Sequence, residues 1–407
     1  MKIKSLGYSF ALNVINSVFP IMTLPFVFRA FTASVYGEYI LVNIFFQLVL
    51  TLFNTMLIPY FVREYINESD KNREKINTKC GEYIMVQMYF SIIGLIFFLL
   101  FIAGFYFYLS LKIELAVWFI FPLLFSIINV EWYYYATQNY KLIFFRTLVV
   151  KLLVLILVFF FIKENNDVVN YSILMAFSYM MTSVIGYIGV WKKIAFQKLR
   201  WRESYQHIFN VRHFFANSLL GTGYQYCDQL FLGVLLERSN LAALNILKQV
   251  TAMLTILPIT VCRFMLPTVI DSYLTGRADK FHKKYDFFYI FFIFFIALIF
   301  GLLGKFFIIM LTGDKYHFSN IDIVLSMCCF LSISLAVFID TQYSIPQKKE
   351  FITTRSNFVV LVVFVFLLYP LIDCMGYSGA LLGMFISESI GVVVMVFLHR
   401  KGTGYVR

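Results

Sequence analysis

About twelve apolar segments, most of them 20 residues or longer, follow one another along most of this 407-residue chain, with short polar breaks between them. Hydrophobic residues make up 61% of the sequence and charged residues only 14%, against roughly 25% charged in a soluble domain. About 20 apolar residues are enough to cross the ~30 Å hydrocarbon core of a bilayer as a helix. The pattern therefore predicts an all-α polytopic membrane protein with about twelve transmembrane helices.

The predicted spans divide evenly along the chain into two groups of six. They cover residues 7–28, 39–62, 83–109, 114–136, 142–162, 168–191, 209–236, 243–270, 286–311, 320–345, 351–372 and 377–398. We therefore predict an amino-terminal six-helix lobe over residues 1–195 and a carboxyl-terminal six-helix lobe over 196–407. Two lobes of this kind are typical of transporters that are built from a repeated bundle.

The basic residues fall on every second break. The two termini and the breaks on their side of the membrane carry 23 Lys and Arg, whereas the other breaks carry five. By the positive-inside rule, both termini are expected in the cytoplasm. The net charge of +12 is then explained by topology and by attraction to anionic lipid headgroups, so no nucleic-acid partner is expected.

The breaks between spans contain no sequence motif that is typical of an enzyme active site. Those on the predicted outer side are short, which disfavours a membrane enzyme of polysaccharide assembly with its site in a large external loop. The longer inner breaks hold no Gly-rich phosphate loop, and the six cysteines lack metal-ligand spacing. We therefore expect no catalytic residue, metal or cofactor, and a protein that transports rather than an enzyme.

Two hairpins carry the same polar residues at an interval of 209 positions. The hairpin between spans four and five holds Glu131, Tyr134, Gln138 and Arg146, and the one between spans ten and eleven holds Asp340, Tyr343, Gln347 and Arg355. An unpaired charge in the membrane interior costs roughly 2.5–3.5 kcal/mol on insertion scales. We predict that the pairs Glu131–Arg146 and Asp340–Arg355 clamp their hairpins; direct contact with a substrate is the alternative.

Ionisable residues inside spans are candidates for function because they are expensive to bury in lipid. In spans seven and eight they are Arg212, Asp228, Lys248 and Arg263. One interpretation is an Asp228–Lys248 ion pair with both arginines extending to the inner interface. The other is a set of cations lining a cavity between the lobes. The sequence leaves both open, and Lys151 and Lys305 are weaker candidates in spans five and nine.

The first two spans offer amides rather than charges: Asn13, Asn16, Asn43, Gln47 and Asn54. They predict a polar face, although hydrogen bonds between helices would explain them equally well. Prolines 20, 25, 258 and 267 can break or kink their helices, although prolines are also tolerated in ordinary membrane helices. The aromatic run 132–135 is predicted to lie in an interfacial belt, with stacking on sugar rings as the alternative.

Three segments resemble a known family of transporters. They are Asn13-Val-Ile-Asn16-Ser17 with Pro20, Thr23-Leu24-Pro25, Arg29 and Tyr36-Gly37-Glu38-Tyr39; Glu131-Trp132-Tyr133-Tyr134-Tyr135 with Gln138, Tyr140-Lys141 and Arg146; and Asp228 with Leu230-Phe231-Leu232-Gly233. In order and spacing they are similar to the Wzx-type O-antigen flippases of the multidrug/oligosaccharidyl-lipid/polysaccharide superfamily.

The resemblance implies a flippase in the bacterial inner membrane. It would move undecaprenyl-pyrophosphate-linked oligosaccharide from the cytoplasmic to the periplasmic leaflet by alternating access, in contact with membrane lipids and with polysaccharide polymerase and chain-length machinery as candidate partners. The expected substrate-binding residues are Arg212, Asp228, Lys248, Arg263, Arg29, Asn13, Asn16, Gln47 and Asn54. The alternative is a cation-coupled multidrug antiporter of the same superfamily; a peptidoglycan-precursor flippase would carry two further carboxyl-terminal spans.

Overall fold

The computed structural model describes residues 3–69, 73–109, 112–191 and 201–402, and these are helical almost throughout. The helices are α1 (Ile3–Ala30), α2 (Ala33–Leu50), α3 (Leu57–Ser69), α4 (Arg73–Leu109), α5 (Ile113–Val117), α6 (Ile120–Phe125), α7 (Glu131–Ala136), α8 (Tyr140–Phe161), α9 (Val168–Ile188), α10 (Trp201–Leu235), α11 (Arg238–Leu274), α12 (Ala278–Thr312), α13 (Asn320–Ile339), α14 (Glu350–Met375) and α15 (Tyr377–Gly402).

Among the described residues, nine helical segments are long and apolar enough to cross a bilayer. Two of the remaining predicted spans contain shorter apolar helices, Val14–Ala30 and Ile113–Ile128, and the seventh falls in the more polar α10. The predicted all-α polytopic class is confirmed, and the count of about twelve helices agrees roughly with what is observed. The chain is a multi-pass membrane protein.

Contacts between residues divide the chain into two compact units, Met1–Tyr226 and Cys227–Arg407. The predicted lobe boundary, after residue 195, lies outside the described residues. In the first unit α1 and α9 pack on α8, and α3 packs on α4 and α7. In the second, α13 packs against α11, α12 and α15, and α14 and α15 form an antiparallel hairpin.

The fourth predicted span, 114–136, is not one helix, and that prediction was wrong. It is broken into α5, α6, a 3₁₀ turn (Ser126–Ile128) and α7. Backbone carbonyls freed by a break at membrane depth need donors from the protein, because lipid supplies none. Gln87 on α4 donates to the carbonyls of Ser126 at 2.5 Å and Asn129 at 2.8 Å. Asn54 also donates to the Ser126 carbonyl, at 3.0 Å.

The prolines do not interrupt their helices. α1 continues through Pro20 and Pro25, and α11 continues through Pro258 and Pro267. The irregular turns lie elsewhere: π-helical segments at Thr51–Thr55, between α2 and α3, and at Asp340–Ser344, after α13. π-turns insert one residue into a helix and often mark functional positions.

The two hairpins that carry the repeat are built alike, at an interval of 210 residues. Gln138 and Lys348 both occupy the left-handed region, with φ of 54° and 57°. In each, the N–H of the following residue donates to a carbonyl five residues earlier, at 2.9 Å: Asn139 to Tyr134 and Lys349 to Ser344. The buried faces of the next helices match at the same interval: Arg146, Val150, Val154 and Val158 in α8, and Ser356, Val360, Phe364 and Leu368 in α14.

Candidate functional site

The strongest charged contact among the spans joins α10 and α11. Lys248 donates to both carboxylate oxygens of Asp228, at 2.9 and 3.0 Å. Asp228 is completely buried, and only 16% of the Lys248 side chain is exposed. The structure thus brings together two predicted residues as an ion pair, the first of the two interpretations that the sequence left open. The net charge of this pair is zero, so it attracts a distant ion only weakly.

A row of amides extends this ion pair along the same two helices. Asn245 donates to the side-chain carbonyl of Gln229 at 2.8 Å, and Gln249 donates to Asn245 at 2.7 Å. Cys329 on α13 lies within electrostatic range of Asp228 and Lys248 and also of Glu388 on α15. Polar groups from the end of α10 and from α11 thus lie together in the carboxyl-terminal unit. Sequence reasoning missed Glu388, although an acid in the middle of the last predicted span was a visible signal.

Three of the predicted arginines are exposed rather than buried. Arg29 lies in the last turn of α1, Arg212 in α10, and Arg263 in α11. Arg263 falls within an apolar segment that qualifies as a membrane span, Arg238–Tyr273. Its immediate neighbour Phe264 is 80% exposed. A guanidinium at this position is available to an anionic group that enters the membrane region.

Asn16 contacts a lysine that sequence reasoning ranked low. The ammonium of Lys151 on α8 donates to the Asn16 amide oxygen at 2.8 Å. It also lies over the Phe19 ring, 4.8 Å from the centroid, and such a cation–π contact partly compensates for lost hydration. The amino-terminal unit therefore has an intramembrane cation of its own beside α1. The side chain of Asn13 lies outside the described residues.

Gln47 and Asn54 are engaged within the amino-terminal unit. The Gln47 amide donates to the Tyr179 hydroxyl. Asn54 is buried; it donates to Ser91 at 3.4 Å as well as to the Ser126 carbonyl, and accepts from Asn129 at 3.4 Å. These contacts join α2 and the π-turn to α4, α9 and the broken segment. They match the interhelix hydrogen bonding that the sequence left open, so binding of substrate by either amide stays a prediction.

Glu131 and Arg146 are brought together as the sequence predicted. The guanidinium lies 3.4 Å from the carboxylate, and the side chains are 4% and 25% exposed for Arg146 and Glu131 respectively. Tyr135 also donates to Glu131, at 3.4 Å. A Cβ on Gly186 would come within 2.7 Å of the guanidinium, so this glycine makes room for the arginine. The clamp role itself stays a prediction.

The second predicted pair, Asp340–Arg355, is not formed. Asp340 accepts a hydrogen bond from Thr353 at 2.5 Å, whereas Arg355 is exposed and its guanidinium lies over the Phe351 ring, 5.3 Å from the centroid. The cause is the interval of 210 residues. Ser356, not Arg355, is structurally equivalent to Arg146, and one residue rotates a side chain by about 100° around a helix.

The aromatic run at 132–135 does not form an interfacial belt, so that prediction was wrong. Trp132 is 1% exposed and packs edge-on against Phe61 and Tyr83, with ring centroids 5.6 and 5.4 Å apart. Tyr134 is buried and donates to the Gly186 carbonyl at 2.6 Å. The short helix α7 turns these rings into the core of the amino-terminal unit, because the fourth span is broken.

A second charged cluster of the amino-terminal unit escaped sequence reasoning. The buried carboxylate of Glu82 lies 3.0 Å from the Lys79 ammonium and 3.4 Å from His207. The other ring nitrogen of His207 lies 2.6 Å from the Tyr60 hydroxyl. The cluster ties the first turns of α10 to α3 and α4. Within the described residues, no group of His, Cys, Asp and Glu side chains has the arrangement of a metal site.

The architecture defines the class: a polytopic helical membrane protein, similar in fold to two solved membrane proteins. One similar structure is titled as the lipid II flippase MurJ in an inward closed conformation (TM-score 0.64, 14% identity, covering 97% of this chain and 87% of that one). Another is an inward-facing multidrug resistance MATE family transporter of the MOP superfamily (TM-score 0.68, 12% identity, 95% and 94% covered).

The sequence then specifies the family. Residues 3–272 match the model of the polysaccharide biosynthesis protein family, and the chain belongs to that family. The resemblance noted in the sequence is thereby confirmed at the level of the polysaccharide biosynthesis family. No curated protein matches the chain by sequence.

Proposed function

We propose that the protein is a flippase for undecaprenyl-pyrophosphate-linked oligosaccharide. It moves an O-antigen repeat, or a related surface polysaccharide unit, from the cytoplasmic to the periplasmic leaflet of the bacterial inner membrane by alternating access. Membership of a polysaccharide biosynthesis family supports the sugar cargo. The fold shared with a protein titled as a lipid II flippase is consistent with a lipid-linked form of it.

The observation that carries the proposal is the exposed guanidinium of Arg263 inside an apolar span. A pyrophosphate that crosses the bilayer needs fixed cations, and arginine offers a planar fork that binds phosphate oxygens in pairs. Coulomb attraction is strong in such surroundings because the local dielectric is low. A cation exposed within an apolar span is expensive, and an anionic cargo would explain its presence there.

The other charged residues within the spans have different roles. Lys248 is neutralised by Asp228, so this pair sets the local charge balance and fixes α10 against α11 rather than attracting the cargo. Lys151, held by Asn16, supplies a positive group in the amino-terminal unit. Arg212 and Arg29 are exposed and can contact phosphate or sugar. The lipid tail remains among membrane lipids, and a polysaccharide polymerase with its chain-length machinery would take the delivered unit.

A cation-coupled small-molecule antiporter is the second candidate function. The buried carboxylate of Asp228 favours it, because acids within spans can exchange protons or metal cations during transport. The fold shared with a multidrug resistance MATE family transporter is compatible with it. An antiporter would retain transport of cationic drugs when Arg263 is reversed in charge, whereas a pyrophosphate flippase would lose its cargo.

A complementation assay tests the proposal in a strain that lacks its own exporter for the same polysaccharide. Arg263→Glu is expected to abolish surface-polysaccharide export at unchanged protein abundance. Arg263→Lys keeps part of the activity, because charge survives and the bidentate geometry does not. Arg277→Glu is the matched control: it reverses the same charge at an exposed position just beyond α11 and leaves export unchanged. Unimpaired export by Arg263→Glu would refute the cationic site.

A further inference from the structure

A cavity lies at the end of α12 that topology places on the outer side. Its volume is about 250 Å³, and its described lining residues are Lys305, Ile308, Ile309, Gly313, Tyr316, His317 and Phe318. α12 ends at Gly313, whose φ of 65° turns the chain out of the helix. The chain then runs through a 3₁₀ turn (Gly313–Lys315) toward α13, and residues 316–318 close one side of the cavity.

The side of α12 that carries Lys305 faces the lipid. Leu302 is 75% exposed, Phe306 71% and Met310 60%. Lys305 itself is exposed among these apolar neighbours, and within the described part of the chain it forms no ion pair. A lysine in lipid without a counter-ion is costly. Its counter-ion is therefore expected to come from the membrane.

Lys305 lies near the outer boundary of the hydrocarbon core, from which its long side chain can extend to lipid phosphates. The apolar part of α12, Lys284–Thr312, has 29 residues and would be about 44 Å long as an α-helix. The hydrocarbon core is only ~30 Å thick, so both ends of this segment reach into the headgroup regions. Lys305 lies seven residues before Thr312, about 10 Å along the axis. That position is close to the boundary between hydrocarbon and headgroups.

The cavity has the chemistry of an anion site. Lys305 supplies an ammonium, and His317 supplies an imidazole N–H at the same cavity. No carboxylate is present among the described residues that line it. Ile308, Ile309 and Phe318 form an apolar wall on which a glycerol backbone can rest. The space equals roughly that of eight water molecules at about 30 Å³ each, enough for a phosphodiester with a small polar substituent.

We propose that this cavity binds the phosphodiester headgroup of an anionic glycerophospholipid in the outer leaflet, with its acyl chains along Leu302, Phe306 and Met310. The site is separate from the cations that the flippase function uses, and it would hold α12 to the surrounding lipid. The occupant is a membrane phospholipid because the cation opens onto the lipid-facing surface of the helix rather than onto a sheltered polar region.

Native mass spectrometry of the full-length, detergent-solubilised protein tests this site, with phosphatidylglycerol and phosphatidylcholine added in separate samples. The native chain is expected to retain phosphatidylglycerol more strongly, and Lys305→Leu to lower that preference about fivefold, the contribution of one cation near an anionic surface. Lys163→Leu, which removes an exposed lysine at another predicted outer break, should leave the preference unchanged. Lys305→Arg should preserve it and shows that position 305 tolerates substitution.

Three outcomes would overturn the proposal. One is an unchanged preference in Lys305→Leu, and another is an equal loss in Lys163→Leu. The third is displacement of the bound phosphatidylglycerol by millimolar inorganic pyrophosphate, which would identify the cavity as a site for free or substrate phosphate. Thermal stability of each variant in the same detergent separates loss of the site from loss of folding.

Discussion

At the scale of single residues, two ion pairs neutralise charges that lie buried or half-buried within the spans. Asp228 and Lys248 form one ion pair and Glu131 and Arg146 another. Arg263, by contrast, is exposed. This division follows from cost, because a buried ion without its partner destabilises a protein by several kcal/mol. Arg263 is therefore a residue at which the proposed function expects an anionic ligand.

The Glu131–Arg146 pair gives a prediction about stability. Replacing one partner, as in Glu131→Gln or Arg146→Met, should lower the free energy of unfolding more than replacing both, since a single change orphans the remaining charge. Because Glu131 is 25% exposed, we expect about 2–3 kcal/mol for Arg146→Met, toward the low end for buried pairs. Thermal unfolding in detergent measures this as a double-mutant cycle.

The repeat supplies the control for that cycle. Asp340→Asn and Arg355→Met should show additive effects, because these side chains do not touch in the structure. If Asp340 and Arg355 were coupled as strongly as Glu131 and Arg146, Arg355 rather than Ser356 would be the equivalent of Arg146. The repeat interval would then be 209 residues, as the sequence indicates, and not 210.

At the scale of elements, sequence periodicity located the spans but not their interruptions. Apolar length predicted α8, α12 and α14 because each is a regular helix exposed to lipid along one side. It could not show that the helix over residues 114–136 is interrupted. The interruption depends on hydrogen bonds to the carbonyls of Ser126 and Asn129 from Gln87 and Asn54, which lie in segments distant in sequence. The helices that continue through prolines show the same dependence on context: breaks form where partners for the backbone exist, not simply where an N–H is missing.

The α14–α15 hairpin gives a prediction about close packing. A Cβ on Gly379 would lie 1.9 Å from the Leu371 carbonyl oxygen, so Gly379→Ala must push the two helices apart. A loss of about 2 kcal/mol or more is expected, as for overpacking of a core. One turn later, Gly383 has its nearest neighbour at 3.5 Å and provides the matched control. If Gly383→Ala and Gly379→Ala shift the melting temperature equally, this packing is wrong.

At the scale of the whole molecule, the sequence was sufficient for the class and for the family, because composition and ordered motifs extend over many residues. It was weaker for the candidate site. It named Asp228, Lys248 and Arg263 but could not decide between pairing and exposure, which depends on side-chain direction. The Glu82–His207 contact was missed because the two residues lie far apart in the chain.

The orientation in the membrane is open to direct labelling. On a background without cysteine, Asn166→Cys and Ser239→Cys should react with an impermeant maleimide in intact cells, and Thr275→Cys only after permeabilisation. The reason is the excess of basic residues in the breaks that the predicted topology places in the cytoplasm. Reaction of Thr275→Cys in intact cells would show that the predicted orientation is wrong.

The most direct measurement is translocation by the purified protein in liposomes. A fluorescent undecaprenyl-pyrophosphate-linked oligosaccharide is placed in both leaflets, and its accessibility to an impermeant quencher is followed over time. The native protein should expose the protected half of the label faster than empty liposomes do, Arg277→Glu should match it, and Arg263→Glu should be no faster than liposomes without protein. The flippase account would be contradicted if the native protein does not translocate this lipid. If the same preparation exchanges a cationic dye for protons, driven by a proton gradient, the protein is an antiporter instead.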